Sequence, residues 1–136
     1  MPNLFRNLPL AERGVAMIEF AFASGIMVVM VLGILAYGEV LATYVQLKYA
    51  VGELSRQVAM GDDLTDRQAR YAAAITQVNS SYGFSSGCAV FAPSPFQGEV
   101  TITGRYYLDR EGCRTMPSLM LPMPSELVAH NKFSVP

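Results

Sequence analysis

The chain has 136 residues, about half of them apolar and only 15% charged, with a formal net charge of −1. That size suits one small domain plus one membrane segment and leaves no room for a second large core. The near-balanced charge offers nucleic acid or an anionic partner surface no electrostatic footprint.

Arg13-Gly14-Val15-Ala16-Met17-Ile18-Glu19-Phe20 opens an apolar run whose last residue before Glu39 is Gly38. Residues 20–38 carry no charge and span about 28 Å as a helix. That approaches the roughly 30 Å of a bilayer core, so one transmembrane helix is predicted. Arg6 and Arg13, partly offset by Glu12, precede it and Glu39 follows, which sets the N-terminus in the cytoplasm and the rest outside. A cleaved secretory signal ending at Ala36-Tyr37-Gly38 is the competing reading. Against it stand the length of the apolar core and Glu19, which has no role in a signal peptide. A charge at membrane depth costs about 2.5–3.5 kcal/mol on insertion scales, so Glu19 needs a reason. The bland reason is snorkelling to the headgroups; the sharp one is pairing with a cation on a neighbouring subunit. Ala21 with Gly25, and Gly38 with Ala42, have the four-residue spacing that lets helices approach closely.

Helical periodicity continues past Gly38. Val40, Tyr44, Leu47, Val51, Leu54 and Val58 alternate spacings of four and three, the seam of a packed helix face. One helix is therefore predicted over residues 15–60, about 70 Å long, and Gly61-Asp62-Asp63 ends it. Thr65-Asp66-Arg67-Gln68 has the spacing of a capping box and starts a second helix over residues 65–82. Leu64, Tyr71, Ile75, Val78 and Tyr82 form its stripe, and Gly83 closes it. The short connection predicts an antiparallel hairpin, with this stripe packed on the first seam.

Beyond Gly83 the period becomes two. Val100, Ile102, Tyr106 and Leu108 face one way and Thr101, Thr103, Arg105 and Tyr107 the other, a strand with a bulge expected at Gly104. Asp109-Arg110-Glu111-Gly112 reads as a turn. Ala89-Val90-Phe91 is a short strand, and Leu127, Ala129, Asn131, Phe133 and Val135 alternate in a last one. Residues 116–124, with three prolines and three methionines, are predicted to form a loop over the core. Cys88 and Cys113 both follow the apolar segment, as a disulfide in an oxidising compartment would require; two buried thiols are the alternative. The bridge would contribute about 3 kcal/mol in the chain-entropy model. The predicted fold is α+β: a long N-terminal helix, a second antiparallel helix, and an antiparallel sheet of about three strands with one disulfide. His130 is the only histidine, which leaves no metal quartet and no Ser-His-Asp set. No cofactor and no enzymatic chemistry is predicted.

Arg13-Gly14, then Glu19-Phe20, an apolar helix and a polar-faced continuation ending in Leu54-Ser55-Arg56-Gln57-Val58-Ala59, resemble the TadE-like proteins, minor pilins or pseudopilins of the bacterial tight-adherence (Flp, type IVc) pilus. The resemblance is strongest from Ala11 to Met60. It implies cleavage after Gly14 by a prepilin peptidase, so that residues 1–14 are a leader and Val15 the mature N-terminus. Residues 15–38 become the transmembrane assembly helix and residues 39–136 an extracytoplasmic domain, made of helix 39–60, helix 65–82 and a β-region over 88–136. It further implies other pilins and the pilus assembly platform as partners, and the inner membrane or an extracellular pilus as location. Phe20, where the major Flp pilin carries tyrosine, and the folded domain point to a minor subunit. An unprocessed periplasmic adaptor or sensor, and a secreted module released near Gly38, are the other readings.

Overall fold

The computed structural model describes residues 10–114 and 122–135. Two helices, α1 (Leu10–Ala59) and α2 (Leu64–Ser81), precede three strands, β1 (Ala89–Pro93), β2 (Glu99–Tyr107) and β3 (Glu126–Ser134). Two compact units divide the chain, Met1–Gly38 and Glu39–Pro136.

In the first unit, α1 begins at Leu10 and not at Val15. Leu10, Ala11, Glu12 and Arg13 are good helix formers, and a single glycine after them is absorbed at about 1 kcal/mol. Apolar side chains project on all sides: Phe20, Phe22, Ile26 and Ile34 are between 64% and 74% exposed. A helix apolar all round is either buried in protein or set in lipid.

The second unit holds the core. Val40, Leu47, Val51, Leu54 and Val58 of the expected α1 seam are buried and Tyr44 is partly so. Ser55, between them, is buried with its hydroxyl donating to the carbonyl of Val51 at 2.8 Å. The sheet is antiparallel in the order β1-β2-β3, and Phe91, Gly104 and Ala129 lie abreast. Gly104 is thus in regular register and makes no bulge. Its role is proximity: a Cβ there would stand 2.6 Å from Val51 Cγ2 and 3.1 Å from Leu47 Cδ1. The missing side chain lets the sheet settle on α1. The α1 seam therefore serves the sheet as well as α2, and not α2 alone.

Val100, Ile102, Tyr106 and Leu108 are buried as the alternation requires, as are Leu127, Ala129 and Val135. Asn131 shares their face opposite Ile102 but is exposed. Pro93, which has no N–H to give, ends the edge strand β1. Cys88 and Cys113 form the disulfide, Cα atoms 5.4 Å apart across a separation of 25. Its Cys113 end lies in a turn one residue later than expected, in which the Cys113 N–H donates to Arg110 O at 3.2 Å. Gly112, at φ 80°, supplies the left-handed backbone of that turn.

Helix α2 starts differently from its prediction. Asp63 and not Thr65 is the N-cap, in extended backbone at φ −133° and ψ 176°. Its Oδ1 accepts the Asp66 N–H at 2.7 Å, while Asp66 Oδ2 accepts the Asp62 N–H at 3.2 Å. This is the reciprocal logic of a capping box, moved two residues upstream. At the other end Tyr82 is the C-cap, Gly83 takes φ 64°, and Phe84 N–H donates to Asn79 O at 3.3 Å. Of the expected stripe, Val78 is buried and Tyr71, Ile75 and Tyr82 pack against the core. Leu64 does not; it stands 38% exposed at the first helical position. The loop predicted over residues 116–124 falls largely outside the described residues, although Met123 at its end packs on the core.

Candidate assembly helix

The residues singled out for processing and assembly lie on α1. Gly14 is exposed, and a Cβ there would meet nothing within 4 Å. Val15 is 57% exposed and Phe20 74%. Glu19 is exposed one helical turn beyond Val15, and among the described residues no cation pairs with it. Gly14 and Val15 both lie inside α1, so the bond between them is helical in the uncut chain.

Ala21 and Gly25 are brought together. With Phe22, Ile26, Val29 and Met30 they line an open recess of about 400 Å³ on the helix surface. Nothing stands within 4 Å of a Cβ at Gly25, so the notch is free for a side chain of another helix. Gly38 likewise meets nothing within 4 Å, and Ala42 is exposed. Among the described residues one helix, over Gly14–Ala59, is long and apolar enough to cross a membrane.

The far end of α1 is polar and locally paired. Glu53 accepts from Arg56 at 3.0 Å and from Gln57 at 2.8 Å, and these contacts hold its carboxyl below the ordinary carboxylate value. Past it comes a residue that sequence reasoning overlooked. Arg67 is only 5% exposed, donating from Nε to Gly61 O at 3.1 Å and from Nη1 to Phe96 O at 3.3 Å. Gly61 makes that possible, since a Cβ there would lie 2.5 Å from Arg67 Cγ. Gly61 lacks the positive φ of a helix-terminating glycine. A signal did exist: positions 64, 67 and 71 share the helical spacing of the stripe, and Arg67 sits in it.

Two tyrosines anchor the sheet. Tyr71 donates to Phe91 O at 2.9 Å and Tyr106 to Cys113 O at 2.7 Å. Burial raises both phenols above their ordinary value, with Glu39 adding to the effect at Tyr106.

Residues 14–56 match the family model of TadE-like proteins. The match opens on Gly14 and closes on Arg56, covering the apolar helix and most of its continuation. No curated protein and no solved structure matches the chain.

Proposed function

We propose that this chain, which carries a TadE-like domain over residues 14–56, is a minor pilin that supports biogenesis of a tight-adherence pilus. The observation that carries the reading is the coincidence of that match with an exposed, membrane-length helix bearing one carboxylate, Glu19, at its mouth. In this reading a prepilin peptidase cuts after Gly14 on the cytoplasmic face of the inner membrane. Residues 1–14 leave as a leader, residues 15–38 span the bilayer, and residues 39–136 fold outside. Other pilins and the assembly platform are the partners, and adhesion is the purpose of the filament.

The chemistry is coherent with the geometry. Cleavage frees an ammonium at Val15, and a carboxylate in low dielectric needs such a partner. Val15 and Glu19 are four residues apart, about 6 Å along the axis. A neighbouring subunit offset axially brings its own Val15 amine to this Glu19, neutralising both charges only on docking. The recess at Ala21 and Gly25 then receives an apolar side chain of the adjoining helix.

Sequencing the N-terminus of protein taken from its native membrane tests the reading. Val15 supports it; Met1 or Pro2 points to an unprocessed periplasmic anchor, and Glu39 to a secreted module. Glu19→Gln removes the charge while keeping the shape. Membrane insertion is expected to persist and filament production to stop, so unchanged pilus numbers would defeat the assembly role of Glu19.

A further inference from the structure

We propose that the cleft at the C-terminal end of α2 binds a neutral sugar. It measures about 380 Å³ and is lined chiefly by Thr76, Asn79, Ser80, Phe84, Ser85 and Ser86. That volume lies in the range of small-molecule sites.

The walls are fixed before any ligand arrives. Gly83 turns the chain through φ 64° and the Phe84 N–H closes onto Asn79 O. The Cys88 N–H donates to Ser85 O at 3.0 Å, with Gly87 at φ 81° between them. Arg110 Nη1 donates to Gly87 O, and the disulfide holds Cys88. A site whose loop is held by a helix cap, a turn and a disulfide loses little ordering entropy on binding.

The polar groups are unspent. Among the described residues, the side chains of Thr76, Asn79, Ser85 and Ser86 make no hydrogen bond. Ser80 donates to Gln77 O at 2.8 Å and keeps its acceptor lone pairs. Hydroxyls and amides both donate and accept, which matches a ligand whose own groups do the same. None of the lining residues carries an ionisable side chain, and the guanidinium that reaches the wall, that of Arg110, is engaged by Gly87 O and the Tyr107 ring. Phe84, partly exposed at the cleft, forms its apolar wall, the ring held in place by stacking on Tyr82 and by tilted contacts with Phe91 and Tyr106. The recess between α1 and α2 is a poorer candidate: it measures about 180 Å³, and its Glu53 carboxylate is already bonded to Arg56 and Gln57.

The test places the full chain in phosphatidylcholine nanodiscs, because sugar-headed detergents would compete. Saturation-transfer NMR is run with the methyl glycosides of glucose, galactose and N-acetylglucosamine. Sialic acid and glucosamine serve as charged controls. Saturable transfer is expected from at least one neutral glycoside, with a dissociation constant on the order of 1 mM, and markedly less from the charged sugars. Joint substitution Thr76→Ala and Asn79→Ala should weaken binding about tenfold through lost hydrogen bonds. It should leave circular dichroism unchanged, since the cap uses the main-chain oxygen of Asn79. Ser86→Leu, outside the helix, should weaken binding in the same direction. Absence of transfer from every neutral glycoside, equal transfer from the charged sugars, or binding undiminished in both variants would overturn the proposal.

Discussion

Arg67 donates from Nε to the carbonyl of Gly61 and from Nη1 to that of Phe96, and so ties the interhelical turn to the segment between β1 and β2. A buried guanidinium is costly, but truncating one that is hydrogen-bonded strands its acceptors. Arg67→Ala should therefore lower the unfolding free energy by about 2–4 kcal/mol, read from urea titration of the full chain in micelles. Gly61→Ala should cost about 1–3 kcal/mol, because its Cβ collides with Arg67. Since the collision is largely with the Arg67 side chain, Gly61→Ala should cost less in the Arg67→Ala background; strict additivity would contradict a shared contact. Tyr71 and Tyr106 govern the alkaline limit. Burial raises their folded values above the unfolded one near pH 10, so the folded state holds these protons more tightly. Their contribution is complete below about pH 10 and is lost as pH rises through the folded values. The urea midpoint should accordingly fall as pH rises above about 10, and less steeply in the Tyr71→Phe variant.

At the scale of the elements, the start of α2 separates what pattern can decide from what it cannot. Asp63 with Asp66, and Thr65 with Gln68, are both acceptable caps with a partner three residues on. The Asp63 choice is settled by surroundings that no local motif displays, namely the Gly61 turn that admits Arg67. Asp63→Ala should therefore destabilise by about 1 kcal/mol and Thr65→Ala by less than about 0.5. The reverse ranking in thermal melts would restore the Thr65 cap. Asp66 adds a pH signature of opposite sign to the tyrosines. Arg70 first, then the Asp62 N–H, hold its carboxyl below the ordinary value. Its support is present above the unfolded carboxyl value and fades as pH falls through the folded one. The α1 seam and the β2 alternation were legible because burial imposes their period directly on sequence. Gly61 and Gly104 were misread because a glycine's reason can lie in distant atoms: Arg67 for one, Val51 and Leu47 for the other. Arg67 was overlooked because charge outweighed position in reading the stripe. On α1, Gly14, Glu19 and the Ala21–Gly25 spacing were visible as pattern, while the helical state of the Gly14–Val15 bond was not.

For the whole molecule, the two units place different demands on the chain. From Val15 to Gly38 most large apolar side chains point outward, whereas the Glu39–Pro136 unit buries its own around a sheet and closes it with Cys88–Cys113. If the first unit serves processing and docking and the second is a self-sufficient head, damage to the head should not reach the cleavage site. Replacing Cys88 and Cys113 by serine removes a bridge across a separation of 25 residues. The loss should be about 3 kcal/mol in the chain-entropy model, a large share of the stability of so small a domain. Both sulfurs are nearly buried, so in the unaltered protein a reductant should act quickly only once urea opens the head. The serine variant should still yield Val15 as its N-terminal residue, while its pilus output falls with the folded fraction of the head. Recovery of uncut Met1 from that variant would mean that cleavage waits for a folded head, and the separation of the two tasks along the chain would have to be abandoned.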